Sequence, residues 1–378
     1  MPRVLIVGAG FAGAVYARTL AEAGIEVDMI DRRPHIAGNA FDHIDENGLR
    51  VHAYGPHLFH TNNKKVVDWV MQYGPWETYE HRVEAQLSDG RNVPLPINRN
   101  TINAVFHESF ETQEQIEAFL AKIAIPCAEP RNAAEYLYSR LGRDLTDLFF
   151  RPYTKKMWTF DLEDMDASVV QRIPIRYDLE DRYFPNDQYQ VLPRNGYTAF
   201  FETLLDHPNI RIQLSTAFSH DLEKSYLHVF NSMPIDEYFG FDLGELPYRS
   251  IRFHHHTVTS WREGLCPTLN YTDDRKFTRE TSWHLLPHHI ARDCEVRTVT
   301  VEEPCDYRDN NNERFYPVKT ADNRFGPLYQ AYQAKGDALG HVSFIGRCGT
   351  YQYLDMHQVI NQSLMGVQAW LAAYQGKA

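Results

Sequence analysis

The sequence has few cysteines, no long apolar run and no excess of basic residues. Five cysteines are spread over 378 residues without a CxxC pair, which argues against a disulfide framework or a cysteine zinc site and favours a cytoplasmic protein. No run approaches the roughly 18 apolar residues of a membrane span, so none is predicted. With 38 Lys and Arg against 50 Asp and Glu, the net charge is −12, which argues against nucleic acid as the main partner.

The N-terminal segment combines an apolar strand, a glycine turn, a helix, a second strand and a terminal acid. Residues 4–7 are apolar, as in a strand buried on both faces, and residues 26–30 form the second strand. In the glycine turn, Gly8 permits the bend, Gly10 lets the backbone approach a pyrophosphate, and Gly13 lets the helix pack on the strand. Phe11 and Ala12 open the helix whose N-terminus favours the anion, and Asp31 is placed to accept ribose hydroxyls.

The glycine motif alone does not separate NAD from FAD. Beyond Asp31, the segment containing Arg32, Gly38 and Asn39 resembles FAD-binding proteins of the glutathione-reductase type. The fold class predicted is therefore α/β, a Rossmann-like FAD-binding domain with an inserted helical domain and an antiparallel β-sheet domain.

The absence of repeats and linkers predicts domains interleaved along the chain. The FAD-binding domain is predicted over 1–65, about 205–245 and 335–378. The helical domain takes about 66–82 and 98–165, and the sheet domain takes about 83–97, 166–204 and 246–334.

Residue periodicity predicts the individual elements. Helices are expected over 65–78, within 100–150 and over 356–373. A hairpin over 83–97 turns at Asp89-Gly90, strands at 211–214 and 228–230 return to the nucleotide domain, 250–303 is an antiparallel sheet, and 342–347 is a strand entering a glycine turn.

Ordered motifs from residue 4 to about 370 resemble one family, the bacterial UDP-galactopyranose mutases. The matching runs include Tyr54 to Asn62, Tyr153 to Trp158, Arg172 to Arg176, Tyr183-Phe184, Asp187 to Gln190, Gly196 to Thr198, Pro234 to Asp236, Leu246 to Ser250, Phe277 to Arg279, Phe315 to Val318 and Tyr353 to Gln358. A single short run could match by chance, whereas the ordered set is specific.

The resemblance implies a role for each matching residue. The implied catalytic residues are Arg176, Arg279, Trp158, His57 and His60. The implied substrate contacts are Tyr153, Trp158, Arg176, Tyr183, Phe184, Tyr189, Asn270, Arg279, Tyr316, Tyr353 and Asp355. The implied cofactor contacts are Gly8, Gly10, Phe11, Ala12, Gly13, Asp31, Arg32, Gly38, Asn39, His57, His60, Arg347, Tyr353, Asp355 and Met356.

The residue types suit this chemistry. Arginine gives a diphosphate planar, bidentate contacts, as expected of Arg176 and Arg279. Trp158 lies on the segment that the family uses as a mobile loop to close the site, and closure excludes water. His57 and His60 could donate to a reduced, anionic flavin ring. They form no zinc site for want of a third ligand, and alternation splits His254-His255-His256 between two faces, so no metal is predicted.

The resemblance implies an isomerase that interconverts UDP-galactopyranose and UDP-galactofuranose. In the family, N5 of reduced FAD attacks the anomeric carbon without net redox change, so no protein nucleophile is required. NAD(P)H or another reductant supplies the electrons. The expected partners are a nucleotide-diphosphate sugar and a second subunit in a homodimer, and the expected setting is cell-wall polysaccharide biosynthesis.

Departures from the family pattern leave other functions open. They include Asn231-Ser232-Met233, Arg194-Asn195, Ala37, the extra residue before Tyr189 and the segment after Arg279. One alternative is a paralogous mutase for UDP-N-acetylgalactosamine or a UDP- or dTDP-linked deoxysugar. A second is an FAD oxidoreductase related to amine oxidases or protoporphyrinogen oxidase. A third is a flavin-bound protein without activity.

Overall fold

The computed structural model of the chain describes residues 3–171, 175–292 and 294–376; the first three residues of the motif 172–176 lie outside these ranges. The strands are β1 (Arg3–Val7), β2 (Glu26–Ile30), β3 (Asp42–Ile44), β4 (Arg50–His52), β5 (Phe59–Thr61), β6 (Trp76–Thr78), β7 (Val83–Gln86), β8 (Asn92–Leu95), β9 (Tyr189–Pro193), β10 (Ile210–Gln213), β11 (His228–Asn231), β12 (Tyr248–Val258), β13 (Thr268–Tyr271), β14 (Arg279–Ser282), β15 (Arg297–Asp306), β16 (Tyr316–Pro317) and β17 (Val342–Phe344). The α-helices are α1 (Phe11–Glu22), α2 (Lys64–Val70), α3 (Arg99–Phe106), α4 (Gln113–Ile123), α5 (Ala133–Leu145), α6 (Arg151–Trp158), α7 (Ser168–Gln171), α8 (Gly196–Leu205), α9 (His220–Glu223), α10 (Ile235–Tyr238), α11 (Gly326–Asp337), α12 (Gly346–Gly349) and α13 (Met356–Gln375).

A parallel sheet organises the two ends of the chain. Its order is β10-β2-β1-β11-β17, and its strands, numbered by their order along the chain, run 3-2-1-4-5, as in dinucleotide-binding sheets. Helices cover both faces, so the apolar β1 is buried. The order reverses between β1 and β11, and a ligand crevice is expected at their carboxyl ends. This confirms the predicted Rossmann-like fold.

The glycines of the first turn are required by their surroundings. Gly8 has φ +101°, a conformation that side chains disfavour. A Cβ at Gly13 would lie 1.9 Å from the Gly8 carbonyl oxygen, so only glycine lets α1 approach β1. Ser232, at the end of β11, closes the turn by donating its hydroxyl to the Val7 carbonyl at 2.7 Å.

The second sheet has the order β16-β12-β15-β14-β13-β7-β8. Its pairings are antiparallel except that of β13 with β7, which is parallel. The predicted hairpin turns at Gly90, where the Leu87 amide donates to the Arg91 carbonyl at 2.8 Å. Helices α3 to α6 pack beside this sheet around a common apolar core. The predicted antiparallel sheet is thus present, with one parallel pairing.

The helix predicted over 65–78 is too long. Helix α2 ends at Val70, a short 3-10 turn follows, and Gly74 takes φ +152° before Pro75. Proline disfavours the helical conformation in the residue before it, so the chain leaves the helix and forms β6.

Residues 189–205, which the sequence placed in the sheet domain, belong instead to the apolar core of the nucleotide-binding domain, where α8 packs on α1. Strand β9 lies between β5 and β6. In α8, Phe201 meets Phe11 at a ring-centroid distance of 4.7 Å. Asp42 accepts the amides of Tyr197 and Thr198 at 2.7 and 3.0 Å, which satisfies the first turn of α8.

The last helix, α13, confirms the prediction over 356–373 and packs on α1. Neither α13 nor any other helix in the described ranges is both long and apolar enough to cross a membrane.

Candidate active site

Two adjoining cavities lie between the sheets. The smaller, of about 330 Å³, surrounds the glycine turn and is called the crevice below. The larger, of about 580 Å³, lies between the second sheet and the helices and is called the substrate cavity. Asn39, His57, Arg347 and Met356 line both, so a long ligand can pass from one to the other.

The crevice contains most of the residues predicted to bind a cofactor. Gly8, Gly10, Phe11, Ala12, Asp31, Arg32, Gly38 and Asn39 line it. Gly13 lies below it, where its role is packing. Helix α1 begins after Gly10 without a side-chain cap, so its first amides are available to an anion. Asp31 also supports the turn, because its carboxylate accepts the Ala9 amide at 2.8 Å.

His57 lies where the cavities meet, and its surroundings fix its tautomer. Its Nδ1 is 2.9 Å from the Gly55 carbonyl, and burial lowers the pKa of the ring to about 4. The neutral ring therefore donates from Nδ1 and presents Nε2 as an acceptor. The donor role predicted for His57 toward a flavin does not fit this tautomer.

Two further histidines, His52 and His289, support the segment that carries His57. His52 accepts the His57 amide at Nδ1 at 3.1 Å, which leaves its proton on Nε2. That Nε2 lies 3.2 Å from Nε2 of His289, and His289 in turn donates from Nδ1 to the Pro287 carbonyl at 2.8 Å. Burial lowers the pKa of both rings, so the pair is neutral.

His60 lines only the substrate cavity. Its ring stacks on Phe184 with centroids 3.5 Å apart. Its Nδ1 lies 2.5 Å from an Asp187 carboxylate oxygen, and Asn62 donates to the other Asp187 oxygen at 2.9 Å.

Arg279 gives the substrate cavity a fixed positive charge. Its Nε lies 3.1 Å from the Glu302 carboxylate, and its guanidinium donates to the Tyr153 hydroxyl at 3.3 Å. Burial is the strongest single influence on the pKa of Arg279 and lowers it, but the attractions of Glu302 and three tyrosines together outweigh burial, so the pKa is raised well above its ordinary value. Burial raises the pKa of Glu302 even though Arg279 opposes the rise. The pair holds a cation at a wall where an anionic ligand can reach it.

An aromatic cluster surrounds Arg347 at the junction of the cavities. Tyr316 and Tyr353 stack with centroids 5.3 Å apart, and Trp158 meets Tyr316 edge-on at 6.3 Å. The Arg347 guanidinium lies 5.2 Å from the Tyr316 ring centroid and donates to the Leu354 carbonyl at 3.2 Å. Burial raises the pKa of Tyr316, so its hydroxyl stays a donor.

Strand β13, which pairs with β14 beside Arg279, carries buried oxygen atoms along the substrate cavity that the described residues do not satisfy. Thr268 Oγ1 and Asn270 Oδ1 are buried and have no hydrogen-bond partner within the described residues. Both residues line the cavity, as do Tyr183, Phe184 and Asp355. Because an unsatisfied buried acceptor is costly, this wall suits a ligand that carries hydroxyl groups.

Two residues predicted to bind substrate do not line the cavity. Arg176 turns to Asp178, with an N–O distance of 2.7 Å, although residues 169–171 just before its segment do line the wall. Tyr189 opens β9 and packs against the core of the nucleotide-binding domain.

Sequence reasoning missed several cavity residues, namely His81, Asp187, Glu302 and His357. His81 is buried, and burial lowers its pKa to about 3. Glu302 faces Arg279 in the register of β14 and β15, a pairing that sequence alone does not reveal.

Comparison with known proteins agrees with this geometry. A family model described as UDP-galactopyranose mutase matches residues 148–353, and one described as an NAD(P)-binding Rossmann-like domain matches residues 6–73. A Klebsiella pneumoniae protein named "Probable UDP-galactopyranose mutase" is 34% identical, over 98% of this chain and 95% of that protein. The dTDP-fucopyranose mutase of Escherichia coli is also 34% identical, over 98% of this chain and 99% of that protein.

Solved structures share the fold. The crystal structure of a reduced UDP-galactopyranose mutase gives a TM-score of 0.76 at 17% identity and covers 99% of this chain and 94% of that chain. A putrescine oxidase structure gives a TM-score of 0.57 at 13% identity, with 98% and 99% covered. The fold is therefore common to mutases and oxidases, and the site must distinguish them.

Proposed function

Because the chain belongs to the UDP-galactopyranose mutase family, we propose that it is an isomerase that interconverts UDP-galactopyranose and UDP-galactofuranose. One observation carries the proposal: a buried, permanently charged Arg279 faces a cavity that continues into a dinucleotide crevice. A nucleotide-sugar diphosphate needs such a cation, whereas the amine or hydrocarbon substrate of an oxidase does not.

The crevice fits FAD. The uncapped start of α1 suits the pyrophosphate, and Asp31 follows β2, where it can accept ribose hydroxyls. A Cβ built at Gly10 would come no closer to protein than 3.7 Å, from the Gly38 Cα, so the space beside Gly10 is open to a ligand. When bound and reduced, FAD supplies the nucleophile of the reaction, and the sugar undergoes no net redox change.

The chain's own contribution is to hold the substrate and exclude water. Arg279 holds the diphosphate, which is also the leaving group, and the hydroxyls of Tyr153, Tyr316 and Tyr353 donate to it. Trp158 covers the site beside Tyr316. Arg176 would join this set when it leaves Asp178.

A dTDP-linked deoxysugar is the second candidate substrate, because the dTDP-fucopyranose mutase matches this chain at the same 34% identity as the Klebsiella relative. The unsatisfied Thr268 and Asn270 oxygens favour a sugar with the full set of hydroxyls over a deoxysugar, whose methyl group cannot donate.

The test is anaerobic turnover of UDP-galactofuranose by dithionite-reduced protein, with products separated by chromatography. UDP-galactopyranose should form with reduced protein and not with oxidised protein. dTDP-fucofuranose under the same conditions tests the second candidate. Equal turnover by oxidised protein would overturn the mechanism.

A matched pair of variants tests the role of Arg279. Arg279→Ala should abolish turnover, whereas Arg275→Ala, which removes an exposed arginine paired with Asp273, should leave turnover unchanged.

The NAD(P)H reductant, the homodimer, the cytoplasmic location and the role in cell-wall polysaccharide biosynthesis stay predictions of the family resemblance.

A further inference from the structure

Three metal-binding side chains meet at one wall of the substrate cavity. His60 comes from β5, and Asp355 and His357 come from the start of α13. One donor atom from each lies within 4.8 Å of those of the other two. The sequence predicted no metal because no third ligand lies near His57 and His60 along the chain. In the structure, His60 instead meets Asp355 and His357, which lie almost three hundred residues further along the chain.

The carboxylate of Asp187 prepares His60 to act as a ligand. The His60 Nδ1–H donates to Asp187 at 2.5 Å, which leaves the Nε2 lone pair available. A carboxylate on the far nitrogen of a coordinating histidine is the usual outer-shell arrangement of zinc sites. Asn62 fixes the carboxylate in turn, at 2.9 Å.

The other two side chains are also held in place. His357 lies in the first turn of α13 and meets the His60 ring edge-on, with ring centroids 5.5 Å apart. The Asp355 amide donates to the Gln358 side chain at 2.9 Å, which fixes this residue at the start of α13.

We propose that His60, Asp355 and His357 form a zinc site in the wall of the substrate cavity, with a fourth position open to water. Two imidazoles and a carboxylate suit Zn²⁺ or a similar ion better than Mg²⁺ or Ca²⁺, which prefer oxygen ligands. Zinc bonds of about 2.1 Å place tetrahedral donor atoms about 3.4 Å apart, so the donors, now within 4.8 Å of one another, must move closer by at most about 1.4 Å when the ion binds.

Zinc bound at this position would prevent the substrate from binding in the cavity. All three ligands line the cavity that also contains Arg279 and Tyr353, and none of them lines the crevice. The inhibitory part of the inference rests on the proposed function, whereas the binding part does not.

Binding is tested first, on the flavin-loaded protein. Zn²⁺ is titrated against a chromogenic chelator, and Co²⁺ is used as a spectroscopic substitute whose absorption reports tetrahedral coordination. Wild type should bind one equivalent, and His357→Ala should abolish binding. Asp187→Asn should weaken binding by about 10- to 100-fold, as loss of an outer-shell carboxylate does.

His341→Ala is the matched control, because it removes an exposed histidine outside the cavity and should bind zinc like wild type. No stoichiometric binding by wild type, or equal binding by His357→Ala, would overturn the site.

Inhibition is then measured with UDP-galactofuranose. Stoichiometric Zn²⁺ should suppress wild-type turnover, a chelator should restore it, and the residual turnover of His357→Ala should be insensitive. Wild-type turnover that saturating Zn²⁺ leaves unchanged would overturn the inhibitory role. A protein that binds zinc as described but turns over no nucleotide sugar would instead contradict the proposed function and leave the metal site standing.

Discussion

Thr159 adopts a backbone conformation that its side chain disfavours. It follows the last residue of α6, has φ +64° and is exposed. A β-branched residue pays more than glycine for this left-handed conformation, which glycine supplies at many helix ends. Thr159→Gly should therefore raise the free energy of unfolding by about 1 kcal/mol, as measured by urea denaturation.

Thr203→Gly provides the comparison for this change. Thr203 is an exposed threonine inside α8, where glycine is unfavourable, so this variant should lose stability. Equal effects of the two substitutions would show that the conformation of Thr159 carries no strain.

Glu302 balances the charge of Arg279 when no substrate is present. The carboxylate is buried and 3.1 Å from the guanidinium. Glu302→Gln leaves a buried cation without its counter-charge, and loss of one partner from such a pair costs about 3 kcal/mol of stability. A bound diphosphate restores a partner, so UDP should raise the melting temperature of the variant more than that of wild type.

Glu303→Gln tests the specificity of this effect. Glu303 is the next residue but pairs with His254 and Lys276 outside the cavity. Its replacement should leave the UDP-induced shift as in wild type. A Glu302→Gln variant with an unchanged UDP shift would argue that Arg279 does not meet the diphosphate.

At the scale of elements, the ion pair with Asp178 keeps one predicted arginine, Arg176, away from the cavity. Asp178 holds the Arg176 guanidinium with a carboxylate, the same kind of group that a diphosphate would present. Asp178→Ala should free Arg176 for the substrate and lower KM for UDP-galactofuranose by about 2- to 5-fold, the size expected for a partly exposed pair. An unchanged KM would show that this pair does not compete with substrate. Asp181→Ala, which breaks a neighbouring pair with Arg82, is the control.

Helix α6, which carries Trp158, is tied to the second sheet. Lys156 donates to the carbonyls of Tyr271, Asp273 and Phe277 at 2.8, 2.9 and 3.0 Å. Arg249 donates to the Met157 carbonyl at 2.7 Å. Lys156→Met should cost about 2–4 kcal/mol, because three carbonyls lose a charged donor.

The adjacent Lys155 is the matched control for this helix. It is exposed and pairs only at the surface with Asp161, so Lys155→Met should change stability by less than about 1 kcal/mol. Hydrogen exchange should accelerate in α6 and the β13–β14 turn of Lys156→Met alone. Equal hydrogen exchange in the two variants would show that the bonds of Lys156 do not hold α6 on the second sheet.

Elements whose signals are local were predictable from the sequence. The unit β1–α1–β2 combines an apolar strand, required glycines and a helical period, and α13 has a long uninterrupted period. The end of α2 was missed because its apolar pattern continues through residues that form a turn and a strand. The position of α8 depends on Asp42, which lies in a different part of the chain.

The residues of the site also fall into two groups, those with a local sequence signal and those placed by contacts between distant segments. Glycines, aromatic residues and arginines in short motifs were identified from the sequence. Asp187 and His357 lie in matching motifs, but their contacts with His60 join distant segments, so the sequence assigned them no role. Glu302 reaches the cavity through the register of β14 with β15. The sequence carries no signal that shows whether Arg176 contacts a substrate or forms an ion pair with Asp178, as it does in the structure.

At the scale of the whole molecule, buried histidines couple folding to pH. Burial lowers the pKa values of His57, His228 and His289 to about 4 and that of His81 to about 3, from an ordinary 6.5. As pH falls below about 6.5, these histidines become protonated in the unfolded chain, whereas in the folded chain they stay neutral until about pH 4. Their contribution to stability is therefore complete above pH 6.5 and is lost progressively toward pH 4.

His228 allows this coupling to be measured away from the site, since it lies on β11 and contacts the Ser343 hydroxyl at 2.8 Å. Each such histidine contributes a slope of up to about 1.4 kcal/mol per pH unit. The stability of wild type should therefore fall more steeply between pH 6.5 and 4 than that of His228→Gln, by about one histidine's slope, in urea denaturation at each pH. His107→Gln, which replaces an exposed histidine at the end of α3, should follow wild type. Parallel curves for wild type and His228→Gln would mean that His228 accepts its proton as readily in the folded chain as in the unfolded one.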